Sequence, residues 1–273
     1  MQEFPSRLYG IIGYPLGHSM SPLMHNTAFR TLGIPGVFFS WPLEPAQLPA
    51  FVEAVRTLDI QGCSVTIPHK VALVPLLDEV TDRVRLTGAA NTIFRRDGRI
   101  CGENTDVLGF VEPLRRLELT PDVRVLLLGA GGAARAAAAG LCSLGLTDIM
   151  VSSPTAAHAE SLAAAFGLKT LSWDRRNQRA DLVVNTTPLG MQGAYEDETP
   201  YPAEAFSGQG IAYDIVYTPF RTRFLREAEV AGWSIVSGRD MFVGQGDAQF
   251  HLWTGQRLPK TAVQAVIRAL AGR

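Results

Sequence analysis

Apolar runs and amphipathic stretches alternate along the whole chain. Arg7-Leu-Tyr-Gly-Ile-Ile-Gly13 predicts a short buried strand that stops at a glycine. Ser21 followed by Pro22 reads as a helix start, with serine at the N-cap and proline at the first helical position. Met24, Ala28 and Leu32 then recur at four-residue spacing, and Gly33 closes the helix. Residues 37–41 predict a second strand, and Pro45 opens a helix with Leu48, Phe51, Val52 and Val55 on one face. Within 61–67, Cys63, Val65 and Ile67 alternate with Ser64 and Thr66, so a third strand is expected with the first set inward. It stops at Pro68, and Lys70 lies just beyond. Helices are expected over 71–77 and after Thr81-Asp82. Segments 89–95 and 99–103 flank Asp97-Gly98, a strong hairpin signal, giving one antiparallel pair in an otherwise parallel pattern. Val107, Phe110, Leu114 and Leu117 mark the next helical face, with Thr105 or Asp106 at its N-cap.

After Pro121 the pattern becomes more regular. Strands are predicted at 123–128, 149–152, 181–185, 211–215 and 233–236, with helices at 133–144 and about 155–166. From Met241 on the chain is helical, with breaks at Gly255 and Pro259, and Arg175-Arg176 reads as a solvated loop pair. Strands alternating with helices at this pace predict an α/β protein with a parallel, doubly wound sheet. Two α/β units are expected, one before about residue 106 and one after, with the chemistry in the cleft between them.

One stretch carries a specific chemistry. Val123-Arg-Val-Leu-Leu-Leu-Gly-Ala-Gly-Gly-Ala-Ala-Arg135 is a strand, a glycine turn and a helix in that order, with Gly129, Gly131 and Ala134 spaced as G-x-G-x-x-A. A dinucleotide's pyrophosphate needs this arrangement: a tight turn, backbone N–H groups brought close, and a small residue where helix meets strand. The helix N-terminus adds unpaired N–H groups and partial positive charge. Lys70, past the end of a predicted strand, stands where α/β sheets bind ligands. Ser19 and Ser21, beside a helix N-terminus, suit a carboxylate; capping would account for Ser21 but not for Ser19, and turn chemistry is the competing reading.

Composition removes other classes. With 273 residues and 47% hydrophobic content the chain can bury a large core, and a net charge of −1 gives no electrostatic footprint for nucleic acid or a membrane surface. No apolar run approaches the ~20 residues of a membrane span. The start of the chain lacks a signal-peptide pattern, and a cytoplasmic location is expected. Cys63, Cys101 and Cys142 form neither a disulfide framework nor, with histidine, a zinc site, and no metal is expected.

Taken together, the motifs resemble those of the shikimate dehydrogenases almost end to end. They are Gly13-Tyr-Pro-Leu-Gly-His-Ser-Met-Ser-Pro-Leu-Met-His-Asn26, Ser64-Val-Thr-Ile-Pro-His-Lys70, Gly88-Ala-Ala-Asn-Thr92 and Gly102-Glu-Asn-Thr-Asp-Val-Leu-Gly109. Gly129-Ala-Gly-Gly-Ala133, Asn185-Thr-Thr-Pro-Leu-Gly-Met191, Asp214-Ile-Val-Tyr217, Met241-Phe-Val-Gly-Gln245 and Phe250-His-Leu-Trp-Thr-Gly255 complete the set. The resemblance implies a substrate domain of 1–106 plus 241–273, with a mostly parallel mixed sheet, and a Rossmann-type NADP-binding domain of 107–240. It implies reversible reduction of 3-dehydroshikimate to shikimate, with Lys70 and Asp106 as the catalytic pair. Ser19 and Ser21 would hold the substrate carboxylate; Ser64, Thr66, Lys70, Asn91, Asp106 and Gln245 the ring hydroxyls; and Tyr217 would close over the substrate. Cofactor contacts would come from Asp82, Gly129, Ala130, Gly131, Gly132, Ala133, Ser152, Ser153, Thr155, Thr186, Thr187, Ile215 and Gly238.

The chemistry is consistent with a lysine. Oxidising a secondary alcohol requires the hydroxyl proton to leave as hydride departs, and a lysine serves where desolvation disfavours an ammonium, with a carboxylate orienting it. Two positions depart from the family's pattern. Where the family often has Asn-Val-Thr, this chain has Ser64-Val-Thr66, and the shorter serine would reach a hydroxyl through water, for weaker shikimate affinity. Where NADP-using members carry Asn-Arg-Thr, this chain has Ser152-Ser-Pro-Thr155. The arginine clamp for the 2′-phosphate is missing, and so is the acid that would bind an NAD ribose. Ser152, Ser153 and Thr155 can still donate to a phosphate, which favours NADP and keeps NAD open. The alternatives are an NAD-using quinate/shikimate dehydrogenase and a non-catalytic dinucleotide-binding regulator; the partner is a small molecule, and a monomer or homodimer is expected.

Overall fold

The alternating patterns fold into two six-stranded sheets. The computed structural model describes residues 5–17 and 19–271; His18, inside one of the motifs, and the first four residues lie outside the described residues. By its internal contacts the chain forms two units, one running to Thr105 and resuming at Gln245, the other spanning Asp106–Gly244.

The first sheet holds β1 (Arg7–Gly13), β2 (Gly36–Pro42), β3 (Ile60–Val65), β4 (Glu79–Val80), β5 (Thr92–Arg96) and β6 (Arg99–Glu103), in the order β2-β1-β3-β5-β6-β4. Its helices are α1 (Ser21–Leu32), α2 (Leu48–Thr57), α3 (His69–Ala72) and α4 (Asp82–Thr87). α5 (Thr105–Leu114) follows. The second sheet holds β7 (Val125–Leu128), β8 (Ile149–Ser153), β9 (Lys169–Ser172), β10 (Leu182–Asn185), β11 (Ile211–Asp214) and β12 (Ser234–Val236). All its pairings are parallel, and the order β9-β8-β7-β10-β11-β12 is the doubly wound one, reversing direction between β7 and β10. α6 (Gly132–Ser143), α7 (Ala156–Phe166) and α8 (Arg223–Val230) belong to it. α9 (Gly238–Thr254) and α10 (Lys260–Ala271) finish the chain.

The amphipathic faces predict burial well. Leu48, Phe51, Val52 and Val55 are the buried residues of α2, and they join Ile60, Cys63 and Val65 in one core. On another face of that unit, Phe29 and Phe38 pack with Phe250 and Ala262 from the end of the chain. In the second unit, Phe110 and Leu114 of α5 pack with Leu127, Ala134 and Leu141.

Five expectations need correction. β3 ends at Val65, so Ile67 is not inward: it lies past the strand and is 72% exposed. β5 is antiparallel to both β3 and β6, so there are two antiparallel pairings rather than one. Ser21 is the first residue of α1, with Met20 at the cap position and no side-chain cap. Thr105, likewise, begins α5 instead of capping it, and Asp106 lies within it. Arg176 is not merely solvated: it stacks on Trp173 at 4.5 Å and donates to the carbonyls of Trp173 and Pro200. The pattern also passes over β4, β9 and α8. No helix among the described residues is long and apolar enough to cross a membrane.

Among the buried groups with a displaced pKa, each unit holds one that bears on stability between acid and neutral pH. His25 is stacked on Phe38 at 4.7 Å with Trp253 at 5.1 Å, and desolvation lowers it from 6.5 to about 3. Asp214 is raised from 3.8 to about 7 by burial, against hydrogen bonds donated by Thr222, Val216 and Asn185. Their effects on stability have opposite signs. From about pH 4 to 6.5 the unfolded chain protonates His25 and the folded chain does not, so this group makes stability rise with pH by about 1.4 kcal/mol per unit. Over the same window the folded chain keeps a proton on Asp214 that the unfolded chain releases, so stability falls at a similar rate. Denaturant melts across this window should therefore show His25→Phe losing stability relative to the parent as pH rises, and Asp214→Asn gaining it. Differences from the parent that do not change with pH would reject both assignments.

Candidate active site and dinucleotide cleft

Strand direction gathers polar residues at one edge of the first sheet. β1 and β3 are parallel, with Ile12 beside Val65, so the segments leaving their carboxyl ends emerge together. β5 runs oppositely, Thr92 facing Ser64, so Asn91 enters at that same edge. The segments are tied there: the Tyr14 N–H donates to the Ile67 carbonyl (2.9 Å), Thr66 to Ile12 (3.0 Å) and Val65 to Asn91 (2.7 Å). Ser64, Thr66, Lys70 and Asn91 therefore share an edge, with Ser19 and Ser21 on the segment that follows β1. Lys70 sits in α3, its carbonyl accepting from the Ala90 N–H at 2.8 Å.

Within this rim the hydroxyls have local duties. Ser19 Oγ accepts from the Ser21 N–H at 3.3 Å, so the turn chemistry belongs to Ser19 rather than to Ser21. Buried Asn91 receives three hydrogen bonds on Oδ1, from the Thr105 N–H (2.7 Å) and from the hydroxyls of Thr92 (2.8 Å) and Thr105 (3.1 Å). Ser64, also buried, gives its proton to Gln249 Oε1 at 2.7 Å. Gln245, four residues earlier on α9, is half-buried. Asp106 is the second residue of α5.

The glycine turn lies where the second sheet reverses direction. Gly129, at the end of β7, has φ +107°, and a Cβ there would meet Thr186 Oγ1 at 2.5 Å. Thr186, leaving β10, closes the contact by donating its N–H and hydroxyl to the Leu128 carbonyl (2.8 and 2.7 Å). Only a glycine fits this crossing. Gly131 and Gly132 have open space where a side chain would stand, and α6 starts without a side-chain cap. Its first N–H groups thus face a cleft of about 320 Å³ that Gly129, Ala130, Gly131, Ser153, Thr186 and Thr187 help to line. Ala134 is fully buried, as the tight packing of helix on strand requires. The residues present fit a dinucleotide: bare N–H donors, a concave wall and no protein group of their own filling the turn.

Other expected contacts have mixed positions. Asn185 orders the 186–189 loop, accepting from the Thr187 N–H and hydroxyl (2.9 and 2.7 Å) and donating to the Leu189 carbonyl (3.0 Å). Gly238 begins α9 against the loop after β11, where a Cβ would lie 2.3 Å from the Ile215 carbonyl oxygen. Tyr217, further along that loop, has its ring 5.2 Å from that of Phe242. Ser153 lines the cleft, but Ser152 is fully buried with no hydrogen-bond partner for its hydroxyl, so it does not reach a ligand from there. Thr155 is exposed at the N-cap position of α7. Asp82 lies in α4 of the first unit, 97% exposed on its side chain and paired with Arg85, and is not among the cleft residues. Sequence reasoning missed Pro154, Pro188, Leu189 and Tyr195 of the cleft, and Gln249 behind the rim; the positions of Pro154 beside Ser153 and of Pro188 and Leu189 after Thr187 offered a signal, and those of Tyr195 and Gln249 none.

Known proteins agree with this geometry. Residues 11–93 match the family model described as shikimate dehydrogenase substrate binding domain, and residues 238–268 that described as shikimate 5′-dehydrogenase C-terminal domain. A shikimate dehydrogenase (NADP(+)) of Pelobacter propionicus is 58% identical over 266 residues, covering 96% of each chain. The crystal structure of shikimate 5-dehydrogenase from Thermus thermophilus, in complex with NADP(H) and shikimate, is 37% identical with a TM-score of 0.89, covering 97% of this chain and 100% of that one. A quinate dehydrogenase from Corynebacterium glutamicum in complex with NAD is 28% identical with a TM-score of 0.90, covering 97% and 99%. With its sheet edge, its glycine turn and its nearly full-length match to these proteins, the chain belongs to the shikimate dehydrogenase family.

Proposed function

We propose that this protein catalyses the reversible, NADP-linked reduction of 3-dehydroshikimate to shikimate. The observation that carries this reading is the single sheet edge that brings Ser64, Thr66, Lys70 and Asn91 together, in a chain that also presents bare helix N–H groups at Gly131 and Gly132. A carboxylate needs hydroxyl or N–H donors, which Ser19 and Ser21 provide. Ring hydroxyls need mixed donors and acceptors, the roles of Thr66, Asn91, Asp106 and Gln245. Tyr217 closes over the substrate. Lys70 takes the hydroxyl proton in oxidation and returns it in reduction, while Asp106 orients the reacting hydroxyl. When bound, the nicotinamide supplies the hydride chemistry. Gly129 to Ala133 hold the pyrophosphate, and Ser153 and Thr155 meet the 2′-phosphate.

A second reading, an NAD-using quinate/shikimate dehydrogenase, is favoured by one observation: Pro154 lines the cleft beside Ser153, and neither carries positive charge. Steady-state kinetics on the purified protein, with shikimate and quinate and with each dinucleotide, separate the two. The expected outcome is turnover of shikimate with a lower KM for NADP; a tenfold or larger preference for NAD supports the second reading. In the same assay Ser153→Asp should raise the KM for NADP by roughly tenfold and spare that for NAD, because a carboxylate repels the extra phosphate. An unchanged KM for NADP would remove Ser153 from the phosphate site.

A further inference from the structure

Behind the rim, four buried side chains form a hydrogen-bonded line whose direction can be read from the backbone. Gln249 Nε2 lies 3.3 Å from the Asn91 carbonyl oxygen and 3.0 Å from Thr92 Oγ1. A backbone carbonyl only accepts, so the Gln249 group facing it is the NH2, and Oε1 must be the atom facing Ser64. An amide oxygen only accepts as well, so the Ser64 hydroxyl donates to it, at 2.7 Å. Asn91 is oriented in the same way, because its Oδ1 lies 2.7 Å from the Thr105 N–H, which only donates. Thr92 connects the two amides: its hydroxyl accepts from Gln249 and donates to Asn91 Oδ1 at 2.8 Å. Ser64, Thr92, Asn91 and Gln249 are each 4% exposed or less, so no bulk water competes for these bonds.

This order determines what the rim can offer. A serine hydroxyl turns freely and in isolation serves as donor or acceptor, but here its proton is committed to Gln249, and Ser64 meets any further partner as an acceptor. Asn91, with its oxygen saturated, meets any further partner as a donor. We propose that Gln249 is a positioning residue for the dehydrogenase reaction. It sets the hydrogen-bond polarity of the substrate site, acting through Ser64 and Asn91, and so selects a ligand hydroxyl over a ligand carbonyl at Ser64. The inference rests on the reading that Ser64 and Asn91 face the substrate.

The test compares Gln249→Met, Gln249→Glu, Ser64→Ala, Asn91→Ala and the Ser64→Ala/Gln249→Met double variant, each with a thermal melt. Gln249→Met keeps the length and loses all three hydrogen bonds, so the KM for shikimate should rise by about tenfold, the net worth of about one hydrogen bond passed on to the ligand, with kcat and the KM for NADP within about twofold. In the double variant the two effects should be less than additive, because each breaks the same line. Gln249→Glu can still accept from Ser64, but it can donate to Thr92 only when protonated; its shikimate KM relative to the parent should therefore fall as pH is lowered. A folded Gln249→Met with the parent's KM overturns the proposal, as does full additivity. If Gln249→Met fails to fold, a pH-independent KM ratio for Gln249→Glu overturns it. If Ser64→Ala and Asn91→Ala both leave the KM for shikimate unchanged while the enzyme turns over, the reading of the substrate site itself fails, and the inference with it.

Discussion

Lys70→Ala should lower kcat by roughly a thousandfold, within the usual range for losing a general acid–base, while changing the KM for shikimate little. The split follows from the division of labour at the sheet edge. In the proposed reaction Ser19, Ser21, Thr66 and Asn91 bind the substrate, whereas the main task of Lys70, beyond meeting a ring hydroxyl, is to move the proton. Lys70→Arg sharpens the test, because a guanidinium keeps the charge but does not give up its proton. It should be as slow as the alanine variant, which would assign the loss to proton transfer and not to electrostatics. Both variants keep the bond from the Ala90 N–H to the carbonyl of residue 70, and a thermal melt of each separates lost chemistry from lost fold. Near-normal turnover in either variant removes Lys70 from the mechanism.

Gly238→Ala should be the most damaging small substitution in the second unit. Its Cβ would stand 2.3 to 2.5 Å from Ile215 O, Ile215 C and Val216 O, all backbone atoms that cannot rotate aside. The loop after β11 must shift, at about 3 kcal/mol, the upper range for overpacking. That loop carries Ile215 and leads to Tyr217, so the KM for NADP should rise by tenfold or more in whatever fraction folds. Gly246→Ala is the matched control. There the nearest atom is Met24 Cε, the tip of a flexible side chain, so the variant should lose less stability and keep its KM for NADP. Chemical denaturation and cofactor titration of the pair measure both effects. Equal stability losses would show that the Ile215 segment yields more easily than its contacts indicate.

What could be read in the sequence was what is contiguous. β1 begins and ends where its apolar run does, and the face of α2 is buried residue for residue as its spacing predicts. The glycine turn was legible because a strand, a tight turn and a helix start follow one another within a dozen residues. Alternation failed on β3 because that strand lies inside the sheet, buried on both faces, so a polar Ser64 is covered as well as Cys63 and the pattern cannot mark its end. β9 escaped because it is an edge strand, three of its four residues exposed, without the apolar signal of a core strand. At the site, the residue types at the rim were legible but their hydrogen-bond roles were not. The partner that commits Ser64 is Gln249, 185 positions away, and nothing around either residue announces the other. Tyr195 was hidden for the same reason: it reaches the cleft from a polar turn with no periodicity.

The division of the first unit between both ends of the chain sets an order of events on the ribosome. The second unit is one continuous segment, Asp106–Gly244, and all its strands are synthesised before α10. The first unit is begun earlier and finished later. Until residues beyond Gln245 arrive, Phe29 and Phe38 lack the cover of Phe250 and Ala262, and Ser64 lacks its acceptor. The half of the protein that is translated first is thus the last to become native, and a released chain ending near residue 244 would carry every strand of the second unit together with an open, sticky first sheet.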